Sequence, residues 1–320
     1  MLAKLPNFRS SQDILDKAFR KAKDTLRKKI PEKDRLRRQR ISTERRIQAF
    51  TDTIISELEK YTRGFPSIDR MPGFYREMIE IKMGVQNLKK SLGSISWAHR
   101  LCKRIRREAL RDLKDARSLE EITSIRKRVY GRISSILEQI DPHLKVVKEA
   151  CTFLESLPFI EDVPTIVIAG YPNVGKSSLL RCLSRAKPEI AHYPFTTKEI
   201  HLGHMEREAD GTRYQVIDTP GLLDRPLSDR NKIELQAVAA LKHLADLIIF
   251  ILDPTETCGY RLEEQMNLLK SIREEFSSIP VIVVENKADV LKRRSPYLKI
   301  SCKTGYGIDK LKKRILENLS

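Results

Sequence analysis

Apolar positions recur at three- and four-residue steps through the first half of the chain. In the second half they gather into short runs, so one sequence carries two architectures. Ser10-Ser11-Gln12-Asp13 offers an N-cap to a helix carrying Ile14, Leu15 and Phe19, and Pro31 breaks that pattern. A long helix follows, with Ile41, Ile47, Phe50, Ile54, Leu58 and Tyr61 on one face; Gly64 and Pro66 end it. Pro72-Gly73 opens a further helical stretch through Phe74, Met78, Ile81 and Val85. An interruption is expected around Gly93, after which Leu101, Ile105, Leu110 and Leu113 continue the pattern. The last stretch carries Ile122, Ile125, Val129, Ile133, Ile136 and Ile140. Asp141-Pro142 is expected to stop it, leaving Leu144, Val147 and Phe153 on a short connector. Residues 1–160 therefore read as an all-α helical bundle of three or four helices.

From Thr165 strands alternate with helices, which implies an α/β domain over 161–320 with a mostly parallel, doubly wound sheet. One hairpin is the expected exception: the runs Ile200–Met205 and Tyr214–Ile217 flank Asp210-Gly211, a turn dipeptide. In such a sheet a ligand sits beyond the carboxyl ends of the strands.

Three motifs fall at those ends. The run Thr165–Ala169 leads into Gly170-Tyr171-Pro172-Asn173-Val174-Gly175-Lys176-Ser177, which is G-x-x-x-x-G-K-S, and a helical pattern begins at Ser178. Strand, glycine loop and helix are the context of a phosphate-binding P-loop. Its backbone N–H groups curl around phosphates, Lys176 adds a point charge, and the Ser177 hydroxyl can reach Mg²⁺. Asp218-Thr219-Pro220-Gly221 follows the next strand; Asp218 can hold Mg²⁺, and the Gly221 N–H can meet a γ-phosphate. Asn286-Lys287-Ala288-Asp289 follows a third, with the aspartate placed to accept from the N1–H and N2 amine of guanine. Adenine lacks that donor pair, and an unpaired carboxylate rejects it. The stem of Lys287 can lie along the base.

Charge changes the picture for the first half. The formal net charge is +18, and 37 basic against 21 acidic residues put +16 of it in residues 1–160. A polyanion partner is expected there, nucleic acid ahead of an anionic membrane. Arg35-Leu36-Arg37-Arg38-Gln39-Arg40 and Lys103-Arg104-Ile105-Arg106-Arg107 could form helical stripes that track phosphates; each alone could equally be a solubilising face. Five scattered cysteines with no C-x-x-C pair suit a reducing compartment and argue against structural zinc or a disulfide framework. No signal peptide is visible, and the longest apolar run, Leu247–Leu252, is strand-sized, so a cytoplasmic protein is expected.

The stretch Ala169–Ser178 resembles the P-loop of Obg-type GTPases, and Tyr193-Pro194-Phe195-Thr196-Thr197-Lys198 resembles their switch I. Gln215–Asp224 and Cys258-Gly259-Tyr260 are similar to the nucleolar GTP-binding protein (Nog) family, as are Phe65-Pro66, Pro72-Gly73-Phe74-Tyr75 and the basic helices. Ending at Ser320, the chain looks like an archaeal-type short form. The resemblance implies a P-loop GTPase domain that binds GTP/GDP with Mg²⁺ and acts in maturation of the large ribosomal subunit. The implied partners are the subunit precursor and its rRNA, with neither DNA nor membrane expected and a monomer anticipated. It further implies that Ser177 and Thr197 ligate Mg²⁺, with Asp218 holding the metal through water. Gly170, Asn173, Val174, Gly175, Lys176, Ser177 and Ser178 would cradle the nucleotide's phosphates. Asn286, Lys287 and Asp289 would read guanine, and Ser301-Cys302-Lys303 would meet the guanine O6 through backbone N–H groups. Catalysis is then assigned to Lys176, Thr197, Gly221 and Asn173.

Leu222 stands where Ras-like enzymes carry a water-orienting glutamine, and no arginine is obviously poised in cis, so slow intrinsic hydrolysis is expected. Asn173 resembles the P-loop asparagine that ligates K⁺ in potassium-activated GTPases, which makes K⁺ a candidate; asparagine also suits a loop turn. Two other readings compete: a non-enzymatic RNA-assembly module holding GTP as a structural ligand, and a membrane or signalling factor, which the lack of a lipidation motif disfavours.

Overall fold

The structure, a computed structural model, describes residues 8–27, 30–161, 163–184, 186–192, 199–207, 210–225, 230 and 232–319. The first half holds helices α1 (Ser11–Asp24), α2 (Arg35–Gly64), α3 (Gly73–Met83), α4 (Val85–Asp115) and α5 (Leu119–Ser156). By its packing the chain forms two compact units. One joins Met1–Met71 to Met83–Glu155; the other joins Pro72–Lys82 to Ser156–Ser320.

In the first unit the helix starts follow local chemistry. The Ser10 hydroxyl accepts from the Asp13 N–H at 3.1 Å, and the Asp13 carboxylate accepts from the Ser10 N–H at 3.2 Å, a reciprocal cap on α1. Asp34 caps α2 by accepting from the Arg37 N–H at 2.6 Å. The predicted stripe Ile47, Phe50, Ile54, Leu58 and Tyr61 is buried. Each large side chain so buried contributes roughly 1.5–3 kcal/mol. Phe19 stays partly exposed but stacks near Phe50, ring centroids 4.9 Å apart.

Two helix boundaries differ from the sequence expectation. The interruption falls at Gly84, with φ +80, and Gly93 lies inside α4 with open space around its Cα. Glycine is favoured where φ is positive; a helix merely tolerates it elsewhere. Pro142 does not stop the last helix, and α5 runs through it to Ser156. Leu144, Val147, Ala150, Cys151 and Leu154 continue the buried stripe beyond it. Their burial outweighs the proline penalty of about 3 kcal/mol. The residues expected on a short connector are therefore core helix.

Basic residues divide into exposed and anchored ones. Arg35, Arg37, Arg38 and Arg107 are exposed. Arg40 is half-buried and donates Nη2 to the Ala116 carbonyl at 2.6 Å, just beyond the end of α4. Arg106 pairs with Asp52. Those two serve the bundle itself.

The second unit contains β1 (Thr165–Ala169), α6 (Lys176–Leu183), β2 (Glu189–His192), β3 (Glu199–Glu206), β4 (Arg213–Asp218), α7 (Lys232–Ala240) and β5 (Leu247–Leu252). It continues through α8 (Leu262–Glu275), β6 (Val281–Glu285), β7 (Leu298–Lys299) and α9 (Ile308–Leu319). The sheet order is β2-β3-β4-β1-β5-β6-β7. β4, β1, β5, β6 and β7 run parallel, while β3 is antiparallel to β2 and β4. The β3–β4 hairpin turns at Gly211 (φ +74) as expected. β1 and β5 are buried along their whole length, as central parallel strands covered on both faces must be.

The boundary read at 160/161 is crossed by one element. Helix α3 packs with the sheet unit: the Tyr75 hydroxyl donates to the Pro158 carbonyl at 3.1 Å and accepts from the Ile160 N–H at 3.0 Å. Gly73 sits against His243, where a Cβ would come within 2.9 Å of Nδ1. Periodicity reports that α3 has an apolar face, not which unit covers it.

Candidate functional site

β1 sits between β4 and β5, and the chain leaves its carboxyl end through Gly170–Gly175 into α6. This is where strand order reverses and a crevice opens. Gly170 has φ +137 and Gly175 has φ +109, conformations that an L side chain resists. Space forbids one as well: a Cβ on Gly170 would lie 2.6 Å from the Ile251 carbonyl, and one on Gly175 would lie 2.2 Å from Asn286 Nδ2. Asn173 also has positive φ, +62, a region that asparagine tolerates. Its residue type thus has a backbone reason independent of any cation.

Lys176 opens α6 and is buried, its Nζ donating to the carbonyls of Gly170 and Tyr171 at 2.8 Å each. The ammonium therefore already spans the loop. Ser177 and Ser178 follow in the first turn, where the free N–H groups and the helix dipole favour an anion. Val174 is fully buried beneath the loop.

At the end of β4, Asp218 is fully buried. The Ser177 hydroxyl donates to its Oδ2 at 2.6 Å, and among the described residues its Oδ1 has no hydrogen-bond partner. An orphaned carboxylate oxygen beside a serine hydroxyl is a hard-oxygen donor set that fits a hydrated Mg²⁺. Thr197, the third expected ligand, and the whole stretch Tyr193–Lys198 lie outside the described residues. Leu222 is fully buried, consistent with having no role toward water. The Gly221 N–H, expected on a γ-phosphate, here donates to Asp224 Oδ2 at 2.7 Å.

The loops after β6 and β7 form the other wall. Asn286 is buried and binds protein at both ends of its amide. Nδ2 donates to the Val174 carbonyl at 2.9 Å, and Oδ1 accepts from the Cys302 N–H at 3.1 Å. Asn286 is thus a brace between the P-loop and the 301–303 loop; its amide nitrogen carries two hydrogens, so this role does not exclude the base contact expected of it. The Cys302 N–H, expected on guanine O6, is likewise occupied by Asn286. Asp289 remains exposed at the rim, accepting from the Ser301 hydroxyl at 2.6 Å. That bond holds its carboxyl below the ordinary carboxylate range. Lys303 is exposed, and the thiol of its neighbour Cys302 is pushed up to about 12, chiefly by burial.

The loop that carries Cys258-Gly259-Tyr260 ties these walls together through Asp253, a residue the motifs did not single out. Asp253, just past β5, is fully buried and accepts at Oδ2 from Lys287 Nζ at 2.6 Å and from the Cys258 N–H at 2.9 Å. Its Oδ1 accepts from the Thr255 N–H at 3.0 Å. Burial would raise its pKa, but the Lys287 ammonium and the Thr255 bonds outweigh that and leave it lowered. Lys287, with φ +60, is thereby fixed across the crevice. The Tyr171 and Tyr260 rings, centroids 4.2 Å apart, link the same loop to the P-loop. The signal in the sequence was Asp253-Pro254-Thr255 after an apolar run, a turn-forming cluster at a strand end.

Loops of this chemistry, in this order around a sheet of this topology, define a P-loop domain of the GTPase class. The family model described as the NOG1 N-terminal helical domain matches residues 2–161, and that for nucleolar GTP-binding protein 1 matches residues 232–289. The chain belongs to the nucleolar GTP-binding protein 1 family.

An uncharacterized protein of Methanocaldococcus jannaschii is 41% identical over 292 residues, 90% of this chain and 81% of that protein. Nucleolar GTP-binding protein 1 of Saccharomyces cerevisiae is 31% identical over 289 residues, 90% of this chain and 44% of its own length. The chain thus spans less than half the length of that eukaryotic relative. A crystal structure assigned to nucleolar GTP-binding protein 1 of Plasmodium falciparum is 34% identical, with TM-score 0.46, over 51% of this chain and 90% of that one. Among the described residues no helix is long and apolar enough to cross a membrane.

Proposed function

We propose that the chain is a GTP-binding and GTP-hydrolysing switch that acts in assembly of the large ribosomal subunit, its basic N-terminal helices contacting rRNA. The observation that carries the nucleotide reading is the convergence at one sheet end of a pre-formed phosphate loop, a buried Asp218 with an orphaned oxygen, and an ionised Asp289. Lys176 would transfer its donors from the loop carbonyls to the β- and γ-phosphates, and α6 would present its N-terminal amides to them. Ser177, Asp218 and Thr197 would hold Mg²⁺, which when bound neutralises charge across the β- and γ-phosphates. Asp289 selects guanine, while Lys287, held by Asp253, lines the base and Asn286 keeps both walls in register.

Catalysis falls to Lys176, Thr197, Gly221 and Asn173, with no polar group supplied at Leu222. Intrinsic turnover is therefore expected at about one per minute or slower. If Asn173 contributes to a K⁺ site, single-turnover hydrolysis should run faster in K⁺ than in Na⁺ buffer. Asn173→Ala should then erase that difference while leaving GDP affinity within about twofold, since the effect belongs to the transition state. Equal rates in both salts would remove the cation from the mechanism. Bound GTP with no turnover above the buffer blank would favour the reading of GTP as a structural ligand of an assembly module.

The RNA half of the proposal rests on the +16 of residues 1–160 and on the exposed Arg35, Arg38 and Arg107. Reversing those three to glutamate should weaken binding to structured RNA by about tenfold or more and flatten its salt dependence. Arg40, anchored to the Ala116 carbonyl, is unsuitable for this test because its loss would disturb the bundle. Binding to anionic vesicles in place of RNA, or RNA binding indifferent to salt, would overturn the assignment.

A further inference from the structure

Gly221 carries the amide that the D-x-x-G motif aims at a terminal phosphate, and in this structure its N–H and its carbonyl, in successive peptide units, are held by one buried pair. The N–H donates to Asp224 Oδ2 at 2.7 Å, and the carbonyl accepts from Arg230 Nη1 at 2.9 Å. Arg230 also donates Nη2 to the Arg225 carbonyl at 3.3 Å, and that nitrogen lies 3.9 Å from Asp224 Oδ1. The Arg230 side chain is 0% exposed and that of Asp224 7%. A carboxylate so desolvated, bonded to an amide and facing a guanidinium, is a built arrangement rather than a surface contact.

We infer that Asp224 is a resident competitor for the γ-phosphate and thereby sets the preference of the site between GTP and GDP. The inference rests on the proposed reading of this site as a GTP switch. To a backbone N–H, a carboxylate oxygen and a phosphate oxygen are the same kind of partner, an anionic acceptor. At 2.7 Å the Gly221 N–H is fully engaged, so a triphosphate must displace Asp224 to use it. The displaced carboxylate is then left beside a second negative charge in a buried setting, which costs free energy. A diphosphate ends one group short and incurs neither cost. The penalty falls on GTP alone, and a ligand shifts a two-state site only by such a difference. Arg230 is a positioning residue here. Bonded to the Gly221 carbonyl, in the peptide unit that follows, it tethers Gly221 on the far side of its Cα from the N–H.

The test is equilibrium titration of the full chain with fluorescent GDP and with a fluorescent non-hydrolysable GTP analogue. Wild type is compared with Asp224→Ala and Asp224→Asn. Asp224→Ala should raise the affinity for the GTP analogue relative to GDP by about tenfold, the scale of one charge-assisted hydrogen bond. Asp224→Asn should move the ratio the same way by less, because its amide oxygen still accepts from Gly221 but carries no charge. GDP affinity should stay within about twofold in both, which also reports that each variant is folded. Should the alanine variant fail to fold, the nearly isosteric asparagine variant carries the test. An unchanged ratio, or weaker binding of the GTP analogue, would overturn the inference while leaving the nucleotide reading intact. Failure of the wild type to bind either nucleotide would overturn both.

Discussion

Gly175→Ala should sharply weaken guanine-nucleotide binding while the sheet and the helical unit keep their fold. Two effects act at once. The residue has φ +109, where a Cβ strains the backbone by roughly 1–3 kcal/mol. The added carbon would also lie 2.2 Å from Asn286 Nδ2, which something must relieve. The side chain it strikes is the one that donates to Val174 and receives the Cys302 N–H, so relief breaks the brace between the phosphate loop and the base loop. Backbone amides can cradle phosphates only from one loop shape, and that shape is lost with the brace. The expected fall in affinity for GDP is about thirtyfold to a hundredfold or more, the two-to-three kcal/mol scale of those combined losses. Isothermal calorimetry of GDP binding, with circular dichroism as the fold control, reads it. Binding within a factor of a few of wild type would mean that the loop is not the phosphate site.

Asp289→Asn should exchange guanine for xanthine nucleotide. The carboxylate is exposed at the rim and kept ionised by the Ser301 hydroxyl, so it presents acceptors and no donor. Guanine offers two donors on one edge, its N1–H and its N2 amine. An asparagine turns one acceptor into a donor, which then faces the amine and leaves both unpaired. Xanthine carries an oxygen in place of that amine and restores the pair. GTP affinity is expected to fall by about a hundredfold, with binding of xanthosine triphosphate rising over wild type. Competition between the two nucleotides on one protein sample reads the ratio directly. A loss of both without exchange would assign Asp289 to holding Ser301 and the loop rather than to reading the base.

The two units were legible in the sequence because the two periods of apolar residues differ and because burial follows them. Ile47, Phe50, Ile54 and Leu58 are buried on α2, and the runs at 165–169 and 247–252 are central strands. The phosphate loop was legible for another reason. Its glycines serve local backbone conformations, and a conformation set by neighbouring residues leaves a local signature. Capping at Ser10 belongs to the same class, closing within three residues.

What escaped the sequence depends on partners far along the chain. Pro142 reads as a stop, yet the burial of Leu144 and Val147 carries the helix through it. Helix α3 has an amphipathic pattern like its neighbours, and only packing against Pro158, Ile160 and His243 assigns it to the sheet unit. Asn286 reads as a base contact alone, and its further use as a brace depends on Val174 and Cys302, 112 and 16 residues away. Arg40 reads as a phosphate ligand until Ala116 takes its guanidinium. Asp224 and Arg230 are six positions apart, but nothing in their spacing reveals that both close on Gly221. By itself the sequence determined element type, the strand ends that bear the motifs, and the chemistry those motifs bring, because each is set within a few residues. Which polar groups are already satisfied by the protein, and which remain open to a ligand, only the tertiary structure decided, because hydrogen-bond capacity is shared out among groups that meet only when the chain is packed.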